Sequence, residues 1–257
     1  GFSDRSWRRL DLPHDWSLEG ENLQDNPGGG GIGFFPMGTG WYRKSFDVPG
    51  YSKDKLYSIE FDGIYMNSTV WVNGVCLGTW PYGYSSFSYD LTPVLKARGN
   101  VIAVRVDNSQ QPNSRWYSGS GIYRHVRLVA TAKTRFDKWG VFHYTTSVDD
   151  GTAKVLIHSD ITNGEARARE LTVRQTVLDA SGAVVATAEK QVGMVAGGSQ
   201  TVDQRVEIPA ARLWDTENPY LYTLRSQLLA SGKEIDCVES SLGVRTIEYD
   251  GDRGFLL

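Results

Sequence analysis

Short segments in which apolar and polar residues alternate, separated by Gly, Pro, Asn or Asp, make up most of this chain. Segments such as LYSIEFDG at 56–63 and NVIAVRVDN at 100–108 would place every second side chain on the buried face of a strand. No window of helical length shows a convincing period near 3.6 residues. The alternation therefore predicts a nearly all-β chain.

Two short motifs predict local structure within the first half. Asn73-Gly74 lies between VWV and VCLG and fits a two-residue hairpin, because both central positions of that turn need a positive φ. In TPVLKAR, Thr92 is placed to be an N-cap and Pro93 to be the first helical residue. We therefore expect one hairpin at 73–74 and one short helix after Thr92.

The composition of the predicted strands changes after Ala130, with fewer aromatic residues and more Val, Thr, Ala and charged residues. The recurrence of turn sequences between such strands predicts a seven-stranded sandwich of about 110 residues. We place the boundary near 131–136, with a third element beginning after Tyr249. The turns that support this are Asp149-Asp150-Gly151, Asn163-Gly164, Ser181-Gly182 and Ser231-Gly232.

Composition excludes some partners. The 257 residues are 40% hydrophobic and 22% charged, enough for one large or two medium β domains. The net charge is −3 and no long Lys/Arg run occurs, so a nucleic-acid partner is not expected. No apolar run approaches the roughly 18 residues of a membrane span, and GFSDRSW at 1–7 lacks the regions of a signal peptide. We expect no membrane partner, and localisation stays open.

Cysteine and histidine spacing gives no reason to expect a metal site. Cys76 and Cys237 are far apart and are predicted to be buried free thiols in different domains. His125, His143 and His158 have no spacing that assembles metal ligands. We therefore expect no bound metal in this chain.

The segment between the strands at 100–108 and 122–129 is predicted to be a recognition loop. Asn113, Arg115 and Trp116 supply an amide, a guanidinium group and an aromatic face within four residues, which are groups that can bind a polar ligand. The alternative is that Trp116 packs under the loop and Arg115 bonds backbone carbonyls. Asp107 and Asn108 are predicted to brace the loop through side-chain to backbone bonds.

Four ordered motifs resemble the N-terminal sugar-binding domain of glycoside hydrolase family 2. They are LPHDW at 12–16, GTGWYRKSF at 38–46, FDGIYMNSTVWVNG at 61–74 and SRWYSGSGIYRHVRL at 114–128. In the second half, LWDTENPYLYTL at 213–224 and GVRTIEYD at 243–250 resemble the family's immunoglobulin-like sandwich and its join to a catalytic barrel. The resemblance implies a jelly-roll (galactose-binding-like) sandwich at 1–132, an immunoglobulin-like β-sandwich at 133–248, and the start of a lead-in to the barrel at 249–257.

The resemblance implies the non-catalytic part of a retaining glycoside hydrolase in carbohydrate metabolism, and LPHDW with NSRWYSGSGIYR looks most like bacterial β-galactosidases. β-Glucuronidases and β-mannosidases share the architecture, and a stand-alone carbohydrate-binding module is the rival from another class. The two catalytic glutamates would lie beyond Leu257, so no catalytic residue and no cofactor is expected in this chain.

Expected partners are a β-galactoside-type carbohydrate and the chain's own catalytic barrel, with homo-oligomerisation left open. Family members that use Mg²⁺ or Na⁺ bind them largely through the barrel. Family analogy suggests periplasmic or secreted relatives. The opening also looks shortened, since the family usually has another strand or two before FSDRSW at 1–7.

Individual residues depart from the family pattern. In relatives an acidic residue two places before the loop tryptophan contacts the sugar, and this chain has Ser114 there. The sugar contact that the resemblance implies is therefore predicted at Asn113 and Arg115, with Trp116 as the aromatic face. Met37 and Gly38 stand where some relatives use an asparagine toward the sugar, so that contact is not carried over.

The remaining aromatic and charged motifs are given structural roles. The cluster Pro13-His14-Asp15-Trp16 is interpreted as structural because a His-Asp pair without a nucleophile has no evident chemistry. In WPYGYSSF at 80–87, strand packing is the main interpretation and an exposed aromatic edge is the alternative. Five tryptophans are predicted to fill the cores or domain contacts: Trp7, Trp41, Trp71, Trp80 and Trp139.

Overall fold

The computed structural model describes residues 3–110 and 118–257. In this part the chain forms sixteen strands and two short 3₁₀ helices, at Trp16–Leu18 and Gly30–Ile32. It divides into two compact units, unit 1 at 1–130 and unit 2 at 131–257. The predicted all-β fold is confirmed. No helix in the described ranges is long and apolar enough to cross a bilayer.

Unit 1 is a sandwich of a four-stranded sheet, in the order β1-β6-β3-β4, and a three-stranded sheet, in the order β5-β2-β7. Inward residues alternate with outward ones along β6, where Ile102, Val104 and Val106 are buried in the core between the sheets. The strands are β1 (Gly38–Phe46), β2 (Leu56–Phe61), β3 (Ser68–Val72), β4 (Val75–Trp80), β5 (Phe87–Asp90), β6 (Asn100–Asn108) and β7 (Val126–Thr131).

Unit 2 has a four-stranded sheet, in the order β11-β10-β13-β14, and a three-stranded sheet, in the order β12-β9-β8. A small hairpin, β15 (Glu248–Asp250) with β16 (Gly254–Leu256), follows them. The seven sandwich strands agree with the number predicted from the turn spacing. They are β8 (Thr134–Asp149), β9 (Thr152–Asn163), β10 (Arg169–Leu178), β11 (Val184–Met194), β12 (Ser199–Ile208), β13 (Tyr222–Ala230) and β14 (Lys233–Leu242).

A group of polar side chains lies inside unit 2. Gln175 on β10 accepts a hydrogen bond from Ser226 Oγ on β13 at 2.5 Å and donates to Ser159 Oγ on β9 at 3.0 Å. Its Nε2 also lies 3.3 Å from Gln204 Oε1 on β12. Gln204 in turn donates to the carbonyl of Val173 at 3.1 Å. Four strands from both sheets therefore meet in one buried polar group (Ser159, Gln175, Gln204, Ser226).

The predicted hairpin at 73–74 is confirmed. Asn73 and Gly74 have φ of +52° and +85° and connect β3 to β4. The Asn73 side chain also fixes the turn from within, because it donates to the carbonyl of Val94 at 2.8 Å and accepts from the amide of Val101 at 2.9 Å.

The helix predicted after Thr92 is wrong: the segment is a single turn. The Thr92 hydroxyl does not cap a helix, because it bonds the backbone of Tyr57, whose amide donates to it at 3.0 Å. Asn100 then ends the turn by accepting from the amide of Lys96 at 2.9 Å and donating to its carbonyl at 2.7 Å. Tertiary bonds to β2 and β6 thus replace the helical ones.

Two of the predictions about buried side chains are wrong in part. The two cysteines are free thiols in different units, as expected, but Cys76 is exposed and Cys237 only partly buried. Cys76 lies on β4, an edge strand, with its side chain outside the sandwich. Among the tryptophans, Trp80 packs against the unit 1 core. Trp41 is 48% exposed and stacks on Trp71, and Trp139 is 74% exposed, so neither fills a core.

Candidate functional site

The predicted sugar-binding residues Asn113, Arg115 and Trp116 lie outside the described residues, as does Ser114. Their role in sugar binding therefore stays a prediction. The chain on both sides of 111–117 is described.

Residues 118–122 run between two other segments of unit 1 and bond to both. On one side the amides of His14 and Trp16 donate to the carbonyls of Ile122 and Ser120, at 2.8 and 2.9 Å. On the other side Tyr65 and Gly121 exchange both backbone bonds, at 2.9 and 3.0 Å. We call residues 118–122, together with His14, Trp16 and Tyr65, the loop frame. Its bonds fix the backbone immediately after residue 117.

The prediction that Asp107 and Asn108 brace the loop is confirmed. Asn108, fully buried at the end of β6, donates from Nδ2 to the carbonyl of Gly119 and to Ser120 Oγ, each at 3.0 Å. Asp107 accepts from the amide and hydroxyl of Ser109, and these bonds hold the pKa of its carboxyl below the ordinary value. The two ends of the loop are therefore joined directly.

Met37, at the position where no sugar contact was carried over, belongs to the same frame. Its Sδ accepts from Asn108 Nδ2 at 3.4 Å and from Ser120 Oγ at 3.7 Å. A thioether is a weak acceptor, so these contacts add packing more than hydrogen-bond energy. Met37 thus packs against Asn108 and Ser120, at the two ends of the loop.

The structural role predicted for the Pro13-His14-Asp15-Trp16 cluster is confirmed. Asp15 Oδ1 accepts from the amides of Ser17 and Ser120, both at 2.9 Å, so the carboxylate ties this cluster to the loop frame. His14 Nδ1 lies 2.7 Å from the hydroxyl of Tyr42. Burial raises the pKa of Tyr42 to about 12. His14 is held by Tyr42, and Asp15 by backbone amides.

Gly121 is the position in the frame that only glycine fits. Its φ is +136°, and a Cβ there would lie 2.6 Å from the carbonyl oxygen of His14 and also meet the hydroxyl of Tyr42. The close approach of three segments therefore depends on a missing side chain.

A group of tyrosines beside the frame is one that the sequence interpretation did not assign. Tyr65 Oη donates to Ser118 Oγ at 3.4 Å, at the loop's end, and packs edge-on against Tyr84 with ring centres 5.2 Å apart. Tyr82 is 58% exposed and contacts Tyr84 in the same way. Desolvation by burial raises the pKa of Tyr84 to about 12.

These tyrosines decide the alternatives left open for WPYGYSSF. Trp80 and Phe87, at its two ends, stack with ring centres 5.3 Å apart and pack in the core, whereas Tyr82 and Tyr84 form the exposed aromatic edge. In the sequence, the tyrosines of GIYMNS and WPYGYSSF could have indicated an aromatic group. That this group lies near Ser118 is seen only in the folded chain.

A groove of about 1430 Å³ lies along β1 in the described part of unit 1. Its lining combines core side chains such as Phe61 with aromatic and charged side chains such as Trp41 and Arg43. Sugar sites need several side-chain donors and acceptors around an aromatic face. Both this groove and the tyrosines beside the loop frame supply groups of that kind.

Within 3–110 and 118–257, no group of three or more His, Cys, Asp or Glu side chains is placed to hold a metal ion.

Comparison with known proteins gives a consistent result for both units. Residues 35–132 match the family model described as glycosyl hydrolases family 2, sugar binding domain, and residues 139–245 match the model of glycosyl hydrolases family 2. The chain is 46% identical to β-galactosidase BoGH2A of Bacteroides ovatus, over 100% of this chain and 30% of that protein. It is 39% identical to a putative β-glucuronidase of Formosa agariphila, over 100% of this chain and 24% of that protein.

Solved structures agree with the sequence comparison. A crystal structure of a glycosyl hydrolase family 2 member from Bacteroides cellulosilyticus superposes with a TM-score of 0.93 at 36% identity, covering 99% of this chain and 34% of that one. The chain thus spans about a quarter to a third of the length of these relatives.

Proposed function

The chain belongs to glycosyl hydrolases family 2, and on that premise we propose that it forms the non-catalytic, sugar-binding part of a retaining β-galactosidase. The observation that carries the proposal is the loop frame, in which Asn108, Asp15 and Gly121 fix both ends of the segment that holds Asn113, Arg115 and Trp116. A rigid frame around a polar and aromatic segment is what presentation of a sugar contact requires.

In this proposal the chemistry belongs to the parent polypeptide. Retaining hydrolysis needs two carboxyl groups about 5 Å apart, one as acid/base and one as nucleophile. We assign both to the part of the relatives that this chain does not match. Unit 1 contributes one wall of the sugar pocket, and Asn113, Arg115 and Trp116 orient the sugar. Misplacement of a substrate by about 1 Å can cost on the order of a hundredfold in rate, so such a wall affects turnover.

The choice of β-galactoside follows the 46% identity to a protein named β-galactosidase. β-Glucuronidase is the second candidate, because relatives at 39% and 30% identity carry that name. The two differ in the carboxylate of the sugar, which a guanidinium group such as that of Arg115 would pair with.

The test compares the parent enzyme with the 257-residue chain on nitrophenyl β-galactoside and β-glucuronide. We expect the parent to hydrolyse the galactoside with the higher kcat/KM and the chain alone to hydrolyse neither. Arg115→Ala and Trp116→Ala in the parent should lower kcat/KM on the galactoside, whereas Arg98→Ala, at an exposed position of unit 1, should not. Preference for the glucuronide would transfer the assignment to the second candidate.

Titration of the chain with galactose, lactose and glucuronic acid separates the enzyme part from a stand-alone module. One wall of a pocket should bind these sugars no tighter than about millimolar, since most contacts are missing. Micromolar binding by the chain, together with absence of hydrolysis by the parent, would refute the proposal and establish a carbohydrate-binding module.

A further inference from the structure

Three aromatic side chains lie together on the outer face of the three-stranded sheet of unit 2. Phe142 and Tyr144 project from β8 and His158 projects from β9, directly opposite Phe142 in the register. Phe142 is 60% exposed and Tyr144 is 44% exposed. We call these three residues the aromatic patch. Outward positions on such a sheet usually carry polar residues, so three adjacent rings there call for an explanation.

The three rings of the patch contact one another, with His158 stacked on both Phe142 and Tyr144 and these two tilted against each other. The ring centres are 5.8 Å apart for Phe142 and Tyr144, 5.9 Å for Tyr144 and His158, and 6.2 Å for Phe142 and His158. The corresponding interplanar angles are 38°, 25° and 14°. In a column of stacked rings, the first and third would be twice as far apart as neighbours. Three nearly equal separations therefore describe a compact cluster in which every ring contacts the other two, rather than a column.

Hydrogen-bonding groups lie at the edge of the patch. His158 Nδ1 lies 2.6 Å from Asp203 Oδ1 on β12, and this bond fixes the orientation of the imidazole. Asp203 is opposite His158 in the register, so β8, β9 and β12 present the rings and the carboxylate as one surface. The phenol of Tyr144 adds a group that can donate and accept.

The patch is not needed to fill the core of unit 2. On the same strand as His158, the alternate residues Val155, Ile157 and Ile161 point inward and are completely buried. The aromatic rings are on the opposite face, where their large apolar surfaces gain little from folding because they stay in contact with water. Their contacts with one another across β8 and β9 add modestly to the stability of the sheet, and their exposed surface remains accessible to a ligand.

We propose that the aromatic patch is a second carbohydrate-binding surface, in unit 2, that binds pyranose rings of a neutral oligosaccharide. Aromatic faces stack against the C–H face of a sugar ring while adjacent polar groups bond its hydroxyls, and the patch supplies both. The carboxylate of Asp203 at the edge disfavours a uronic acid, whose charge it would repel. The proposal rests on unit 2 alone and is independent of which glycoside the parent hydrolyses.

The test is titration of the 257-residue chain with β-1,4-galactotetraose, followed by NMR of the His158 and Tyr144 side chains. We expect saturable shifts of both, with a dissociation constant in the millimolar range, and weaker shifts with tetragalacturonate. Phe142→Ser should weaken binding about fivefold to tenfold, which is the scale of one aromatic stacking contact. Phe255→Ser is the matched control, because Phe255 is an equally exposed aromatic of unit 2 outside the patch, at 57%.

Two results would overturn the proposal. Absence of saturable shifts of His158 and Tyr144, or unchanged affinity in Phe142→Ser, would show that the patch binds no such sugar. The second result would come from hydroxyl-radical labelling. If Phe142 and Tyr144 are protected in the parent enzyme but labelled in the 257-residue chain, the patch is covered by protein and does not bind sugar. Trp116→Ala should leave the shifts of the patch unchanged, which distinguishes this surface from the loop of unit 1.

Discussion

The side-chain amide of Asn108 donates a hydrogen bond to the carbonyl of Gly119 at 3.0 Å, so the last residue of β6 holds the chain eleven residues later. The segment between them includes the predicted sugar-binding residues. The geometry of this one amide therefore sets the distance between the two ends of the loop.

Asn108→Ala should destabilise unit 1 by about 1–3 kcal/mol, because Asn108 is fully buried and its loss leaves the Gly119 carbonyl without this donor. Urea unfolding followed by tryptophan fluorescence measures the change. Asn22→Ala, at an exposed position, serves as the control and should have little effect. Equal stability of the two variants would contradict the bracing role.

Gly121→Ala should destabilise unit 1 by more than Gly38→Ala. The two glycines have nearly the same φ, +136° and +131°, so both variants suffer backbone strain of about 1–3 kcal/mol. Only at Gly121 would the new Cβ meet the carbonyl of His14 at 2.6 Å, whereas at Gly38 no atom lies within 4 Å. Thermal unfolding of both variants checks this, and equal losses would mean that the three segments can separate to admit a methyl group.

Gln175→Leu should destabilise unit 2 by about 2–4 kcal/mol. The leucine cannot bond Ser226, Ser159 or Gln204, and each buried polar group left without its partner costs about 1–3 kcal/mol. Gln191→Leu makes the same change at an exposed position of β11 and should be nearly neutral. Adding Ser226→Ala to Gln175→Leu should recover part of the loss in chemical denaturation, and no recovery would argue that packing rather than polar pairing sets the cost.

Unit 2 should lose stability as the pH falls below about 6.5, through His143. Burial disfavours the charged imidazole and lowers the pKa of His143 from its ordinary value of 6.5. Above pH 6.5 the imidazole of His143 is neutral in both the folded and the unfolded state, so its titration takes nothing from the stability of unit 2. Below it the unfolded state takes up a proton first, so stability falls until the pH passes the lowered folded pKa. Melting temperatures of the chain and of His143→Asn between pH 7.5 and 5.5 measure this, and parallel curves would contradict it.

The sequence was sufficient where a local pattern determines the structure. The Asn73-Gly74 turn and the alternation along β6 need only φ preferences and a period of two, and both predictions are confirmed. Motifs were also sufficient for the role of Asp107 and Asn108.

The failures occur where distant segments compete for a side chain. Thr92 has the right type to cap a helix, but the backbone of Tyr57 takes its hydroxyl. Trp41 and Trp139 are large and apolar like core residues, but their side chains are exposed, so the core role predicted for them is wrong and the alternative of a domain contact stays a prediction. The tyrosines beside Ser118 come together only through folding, and nothing in their spacing along the chain indicates it.

The buried polar group of unit 2 has a consequence for how its strands find their partners. Sliding a strand by two residues keeps every apolar side chain inward, so hydrophobicity alone cannot distinguish the native alignment from such a slip. A two-residue slip of β10 would bring Val173 or Val177 opposite Ser226 and leave Gln175 facing hydrocarbon. The four polar side chains thus raise the free energy of misaligned sheets, because a slipped strand loses their hydrogen bonds. Gln175 therefore selects the native register of β10 against β13.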